Sequence, residues 1–454
     1  MATTLTDPVP YRTDPVPPLA DVAGAGLRVP LLGGTDVRYV NLDYAASAPA
    51  LTEVIDFVHT ILPFYASVHR GAGYTSQVSP SLYENARTAV RDFVAGRNDD
   101  SVIFTRNTTD SLNLLAGCVP ATGDVLYLDV EHHANLLPWQ QLPHRSVVAG
   151  GTISETLERV RSELAIGGVA LLAITGASNV TGEVFPVRAL ARLAHSHGAR
   201  IVVDAAQLAT HRRININRDG IDYVAFSGHK LYAPFGAGVL VGRSDWLDSG
   251  TPHLAGGGAV RQVRADSVQW ARGPARHEGG SPNVVGAAAL AHAVGVLASL
   301  DESAWHSHEQ TLRSALLAGL ADLPGVTVHH LFPDAIDAIG VVNFSVAGYD
   351  AGLVAAFLSA EHGVGVRDGK FCAHPLLKRL GLPSGSLRAS VGLGSQLADV
   401  HRLLEALRSL LSHGLTADYV VDEERWVPAV ETRAFPDWAP HTPGTAGAAP
   451  CATE

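Results

Sequence analysis

The sequence predicts an α/β fold built on a mostly parallel sheet covered by helices. Three observations carry this. Between residues 102 and 241, short apolar segments alternate with segments of helical spacing. Val169–Ile174 is apolar without interruption, as in a strand buried on both faces. Asp204 and Lys230 stand at or just past the ends of apolar segments, where parallel sheets gather ligand-binding side chains.

The elements follow in order. Residues 1–30 are rich in proline and repeat Thr-Asp-Pro-Val-Pro at 6–10 and 13–17; this reads as a mobile arm. Val102–Phe104 is a strand. Asp110–Ala116 begins a helix after Asn107-Thr108-Thr109, with Asn or Thr as its cap. Val125–Val130 and Val169–Ile174 are strands. Val187–Ser196 is a helix that stops at Gly198. Ile201–Val203, Tyr223–Phe226 and Gly238–Val241 are further strands. Helical runs cover 285–300 and 301–320, and an α+β stretch continues from Pro324-Gly325 to about 413. The expected organisation is an arm at 1–30, a large α/β domain at 31–290, a smaller α+β domain at 291–420 and a poorly ordered tail at 421–454. The tail shows no helical or strand periodicity, although Trp426 and Trp438 could dock.

Composition excludes several classes. A net charge of −11 argues against a broad nucleic-acid surface. Three cysteines in 454 residues make no disulfide framework. No apolar run reaches the length of a membrane span, and the N-terminus lacks the n- and h-regions of a signal peptide. A cytoplasmic enzyme is expected. Only three of the 33 basic Lys and Arg residues are lysine, at 230, 370 and 378. Amine chemistry therefore has few candidate side chains.

Lys230 ends the segment Tyr223-Val-Ala-Phe-Ser-Gly-His-Lys. At the mouth of an apolar strand its amine is desolvated, which lowers its pKa and favours the nucleophilic form. Ser227 and His229 add hydrogen-bonding groups, which suits an amine tethered beside a phosphate. Asp204 closes Ile-Val-Val-Asp and fits either a crevice carboxylate or a helix cap. Paired with a Schiff-base lysine, it matches the partner of a pyridinium nitrogen. Thr108 and Thr109 open a helix, where free N–H groups and hydroxyls bind phosphate, or they are an ordinary cap. His132 and His133 are adjacent, so their rings diverge, and no third ligand stands at zinc spacing. A ring stacked on a planar cofactor and a satisfied loop histidine both remain open for His132. Asn179 follows the 169–174 strand into the same crevice. Neither a dinucleotide fingerprint nor a Walker sequence is present.

Taken together, SGHKLYAPFGAGVL (227–240), VVDAAQ (202–207), EHHANLLPW (131–139), NLDYAASAP (41–49), SVHRG (67–71) and EGGSPN (278–283) resemble a known family. They are similar, in order and spacing, to the class V aminotransferase-fold enzymes of pyridoxal 5'-phosphate (PLP). The nearest branch is the group II cysteine desulfurases and selenocysteine lyases, matched over about residues 38–410. The resemblance implies fold type I, with a mostly parallel seven-stranded sheet in the large domain. It also implies PLP on Lys230, stacked by His132, which assists proton transfers. Asp204 would pair with the ring nitrogen and Gln207 with the phenolic oxygen. Thr108, Thr109, Ser227 and His229 would bind the phosphate, and Asn179 would lie near ring and substrate. Ser281 would reach the phosphate of a neighbouring subunit, implying a homodimer. Arg388, with Arg367 nearby, would bind the substrate carboxylate.

Cys372 lies in Arg367-Asp-Gly-Lys-Phe-Cys-Ala-His-Pro375. This fits the family's Arg-x-Gly-x-x-Cys-Ala-x-Pro loop, which carries the sulfur nucleophile. Lys370-Phe371 stands where that loop often has two histidines. Arg367, Lys370 and His374 favour the thiolate. Cys118 reads as core and Cys451 belongs to the tail. The expected reaction removes sulfur or selenium from L-cysteine, selenocysteine or a derivative, leaving alanine and a Cys372 persulfide that a sulfur-acceptor protein could take up. The alternatives are C–S β-elimination, transamination or epimerisation on the same fold, or a catalytically silent scaffold. No metal, nucleic acid or membrane enters this reading.

Overall fold

The computed structural model describes residues 16–68 and 71–439. Seven strands form the main sheet: β1 (Asp100–Thr105), β2 (Asp124–Leu128), β3 (His144–Val147), β4 (Val169–Thr175), β5 (Arg200–Asp204), β6 (Tyr223–Ser227) and β7 (Gly238–Arg243). Their spatial order is β1-β7-β6-β5-β4-β2-β3. β7 runs antiparallel to β1 and β6, and the other four pairings are parallel. This is the mostly parallel seven-stranded sheet expected.

Helices cover both faces, because both faces are apolar. Leu126, Leu172, Ile201 and Val224 pack in one buried cluster, and Tyr127, Leu171, Val202 and Ala225 in another. Among the helices are α1 (Thr52–Ile61), α2 (Tyr74–Phe93), α3 (Thr108–Ala116), α4 (Ile153–Ala165), α5 (Val187–Ser196), α6 (Val284–Ser299), α7 (Glu302–Ala321), α8 (Ala351–His362), α9 (His374–Arg379) and α10 (Leu397–His413). α3 is capped by Asn107, whose side chain accepts from the Asp110 N–H at 3.0 Å. Such a cap contributes about 1 kcal/mol.

A second, antiparallel sheet has the order β8 (Val326–His329), β9 (Val341–Val346), β11 (Ser386–Ser390), β10 (Arg367–Gly369). It has its own core, with Phe344, Phe357, Leu387 and Leu403 fully buried.

The two cores interlock in sequence. The boundary at 290 falls inside α6, whose residues as far as Leu297 belong to the main core. α7 then crosses over: Trp305 packs in the main core, and Leu312, Leu316 and Leu320 pack in the second. Val40 and Leu42 also join the second core, because Val40 pairs in parallel with Val364. We propose a second unit beginning near 300 and including the segment around 36–42.

The arm is docked from residue 16 onward. Leu19 and Ala20 donate to the Leu393 carbonyl, Leu397 donates to Val16, and Arg28–Pro30 pairs with Asp36–Arg38. The rest of the expected arm, 1–15, lies outside the described residues. In the tail, β12 (Tyr419–Asp422) and β13 (Arg425–Pro428) form a hairpin against α8, with the Tyr419 hydroxyl donating to Glu361 at 2.9 Å. Trp426 lies beside Gly352, whereas Trp438 is 87% exposed. Cys451 lies outside the described residues. Among those described, no single helix is long and apolar enough to cross a membrane.

Candidate active site

Parallel strands end together, so the segments that follow them share one edge. The residues after β2, β4, β5 and β6 supply His132, Asn179, Asp204–Gln207 and Ser227–Lys230. The N-terminus of α3 faces the same crevice. β10, β11 and the loop after β10 close it from the second sheet. The resulting cavity has a volume of about 400 Å³ and is lined by every expected site residue except Ser281. Ser281 is exposed on the loop before α6.

At the floor, Lys230 follows β6, and its carbonyl accepts from Thr210 Oγ1 at 3.2 Å. Burial lowers its amine to about 8, against partial opposition from the Asp204 carboxylate. Asp204 is 4% exposed, and burial raises its pKa although the Ala206 N–H donates to Oδ1 at 2.9 Å. Its second oxygen is available to a protonated ring nitrogen. Gln207 spends one amide N–H on the Ala45 carbonyl at 2.8 Å.

His132 stands over this floor. Its Nδ1 accepts from the Ala134 N–H at 3.0 Å. A backbone N–H only donates, so the ring's proton is on Nε2. Burial, reinforced by Lys230, holds the ring down to about 3, hence neutral at physiological pH. Burial also brings His229 down to about 4.

One end of the cavity is built for an anion. The Thr108 N–H and hydroxyl meet Ser227 Oγ at 2.7 and 2.6 Å, joining the start of α3 to the end of β6. Thr109 and His229 complete the rim. Close approach is needed here, because a Cβ on Gly238 would lie 2.4 Å from Asn107 Cα. Any side chain at 238 would push β7 away from the helix N-terminus. Hydroxyls, a helix N-terminus, a buried low-pKa amine and a carboxylate at the far end form the donor set that PLP requires. The residues fit the cofactor.

Arginines elsewhere in the lining offer a second anion site. Arg388 on β11 is 3% exposed. Its Nη1 donates to the Asn179 carbonyl at 2.9 Å and its Nη2 to Asp43 Oδ1 at 2.9 Å, while Nε is buried without a partner. Arg388 lines the cavity, and a guanidinium there is the group a substrate carboxylate would meet. Arg367 pairs with Arg388 across β10 and β11 and lines the same cavity.

Cys372 enters the cavity from the loop between β10 and α9. Phe371 and Cys372 both adopt left-handed backbone, at φ 53° and 51°. For non-glycine residues this costs roughly 1–2 kcal/mol each. The loop is pinned on both sides: Asn179 Nδ2 donates to the Phe371 carbonyl at 2.9 Å, and His133 N–H donates to the Cys372 carbonyl at 2.8 Å. Cys118, by contrast, is 4% exposed, and burial pushes its thiol up to about 12.

Two functional groups were missed from sequence. Asp43, which holds Arg388, lies inside the NLDYAASAP motif, so the signal was present but its partner is 345 residues away. Glu131 is fully buried behind His132, accepting from Thr175 N–H at 3.0 Å and Asn135 Nδ2 at 2.7 Å. It anchors the turn that carries His132.

The Lys230 amine makes a first test. PLP uptake by the apoprotein is expected to quicken with pH, with a midpoint near 8, because only the unprotonated amine condenses with an aldehyde. Stopped-flow absorbance between pH 6.5 and 10 reads it. A midpoint near 10.5, the ordinary lysine value, would contradict the desolvated site.

Comparison with known proteins places this cavity in context. The aminotransferase class-V family profile matches residues 40–403. A cysteine desulfurase of Dickeya dadantii is 34% identical over 381 residues, covering 81% of this chain and 91% of its own. A probable cysteine desulfurase of Vibrio cholerae is 32% identical over 382 residues, covering 81% and 92%. Among solved structures, the apo cysteine desulfurase of Thermococcus onnurineus superposes with a TM-score of 0.76 at 32% identity, covering 82% of this chain and 94% of its own. An S-sulfonic acid form of an Escherichia coli cysteine desulfurase gives 0.73 at 32% identity, with the same coverage. The likeness extends through both sheets and all of the cavity-lining segments, and the chain belongs to the aminotransferase class-V family.

Proposed function

We propose that the protein is a PLP-dependent cysteine desulfurase, taking sulfur from L-cysteine or a close derivative and releasing alanine. The observation that carries this reading is the entry of Cys372 into the cavity that also holds Lys230 and Arg388. A PLP enzyme of another reaction type needs the lysine and the arginine but no thiol.

When bound, PLP supplies an electron sink for the pair left by proton removal from the substrate α-carbon. Lys230 would tether the cofactor, and its amine would take that proton. Asp204 keeps the ring nitrogen protonated. His132, with its proton on Nε2, lines the cavity and would stack on the ring and hand protons from that atom. Arg388 holds the substrate carboxylate, and Arg367 adds positive charge beside it. Gln207 meets the phenolic oxygen, Asn179 borders the substrate, and Thr108, Thr109, Ser227 and His229 bind the phosphate. The Cys372 thiolate attacks the substrate sulfur: an S–S bond forms, the C–S bond breaks, and the carbon fragment keeps the pair and takes up a proton. The products are alanine and a Cys372 persulfide, whose outer sulfur passes to an acceptor.

Ser281 lies outside its own chain's cavity, consistent with a homodimer in which it serves the neighbouring phosphate. Tyr74, Phe64 and Tyr65 are exposed apolar residues available to such a contact.

The test is alanine formation from L-cysteine. Cys372→Ala is expected to lose about 100-fold in rate, roughly 3 kcal/mol, while keeping its cofactor absorbance. Full activity in the variant would overturn the persulfide route. Pyruvate and ammonia in place of alanine would point to β-elimination.

A further inference from the structure

Asn179 serves two masters. Its carbonyl accepts from Arg388 Nη1, and its side-chain amide donates to the Phe371 carbonyl, both at 2.9 Å. The triangle closes through Phe371 itself, whose ring lies under the Arg388 guanidinium with its centroid 5.3 Å from Cζ. The ring is 7% exposed. The next residue in the chain is Cys372. The group that reads the substrate carboxylate is therefore in direct contact with the residue that aims the nucleophile.

The backbone at this point is strained. Phe371 and Cys372 are consecutive non-glycine residues in the left-handed region, a conformation that persists only where surrounding contacts impose it. The contacts that hold it include the Asn179 amide, the His133 N–H and the Arg388–Phe371 stack, beside the Ala373 N–H to Lys370 carbonyl bond that closes the turn. The asparagine amide and the stack both involve the guanidinium or the asparagine that holds it.

We propose that Phe371 is a positioning residue that latches the Cys372 loop to Arg388, and that docking of the substrate carboxylate releases the latch. This rests on the desulfurase reading above. A guanidinium attracts an aromatic face through its net positive charge. Arg388 already shares its charge with Asp43, and a second carboxylate docked on it draws the guanidinium further from the aromatic face and weakens its hold on the ring. The loop then relaxes and Cys372 gains the freedom to reach the substrate sulfur. A ligand shifts such an equilibrium only by binding one arrangement better than the other, and the carboxylate contact supplies that difference. The thiol is thus held until an amino acid is seated.

The test is the rate at which Cys372 is alkylated by iodoacetamide in the holoenzyme, read by peptide mass so that other cysteines do not interfere. L-alanine supplies amine and carboxylate without sulfur, and L-alaninamide supplies the amine alone. In the wild type, L-alanine is expected to raise the alkylation rate several-fold and L-alaninamide to leave it unchanged. Phe371→Leu keeps the bulk but not the π-face, so its rate is expected to be high from the start and indifferent to L-alanine. Phe371→Tyr keeps the π-face and is expected to respond as the wild type does. Unchanged cofactor absorbance in both variants verifies that the site has folded. A wild-type rate that L-alanine leaves unchanged or lowers overturns the latch, as does a normal response in Phe371→Leu. If persulfide still forms on Cys372 in those cases, the desulfurase reading stands without the latch. If it never forms, the reading beneath the latch fails as well.

Discussion

Lys230→Ala is expected to cut turnover by at least about 10,000-fold, roughly 5 kcal/mol of transition-state stabilisation. The size of the effect follows from how many functions share one amine. In the proposed mechanism Lys230 would both tether the cofactor and take the α-proton. No neighbouring lysine can stand in, since the other two are Lys370 and Lys378. Lys370 does not line the cavity, and Lys378 lies in α9. The paired measurement is therefore informative: Lys370→Arg and Lys378→Arg should keep the Schiff-base absorbance, and Lys230→Ala should lack it. Comparable loss of that absorbance in either arginine variant would show the cofactor is anchored elsewhere.

Arg388→Ala is expected to lower kcat/KM by roughly 100-fold or more, with most of the change in KM. Two charge-assisted hydrogen bonds to a carboxylate contribute about 1.5–3 kcal/mol each. The loss also strands Asp43, whose Oδ1 accepts from Arg388 Nη2. Arg388→Lys should recover only a small part, because an ammonium cannot reproduce the planar fork that now serves Asn179 and Asp43 together. Steady-state kinetics on L-cysteine decides it, and an unchanged KM in Arg388→Ala would remove this residue from substrate recognition.

Most of the large sheet was legible because its strands are short apolar runs with helices between them. The cavity was legible for a related reason. Parallel strands deliver their following residues to one edge, so Asp204, Asn179 and Lys230 were placed together without any knowledge of contacts. What stayed hidden has physical causes. α6, with sequence VVGAAALAHAVGVLAS, is apolar nearly all round and largely buried, so its composition gives no sign of where the main core ends. The parallel pairing of Val40 with Val364 joins segments far apart in sequence. The hairpin at 419–428 turns through Glu423 and Glu424, both at positive φ. The usual Asn-Gly or Asp-Gly signal is absent there, so the turn was invisible. The same holds for Phe371 and Cys372, whose left-handed backbone no glycine announces.

In the proposed reaction sulfur leaves the substrate onto Cys372. The direct measurement is a single turnover of holoenzyme with L-cysteine, followed by mass analysis of the peptide containing Cys372 and quantification of the organic product. One added sulfur atom on Cys372, with an equal amount of alanine, is the predicted result. An unmodified Cys372 peptide accompanied by pyruvate and free sulfide would contradict it.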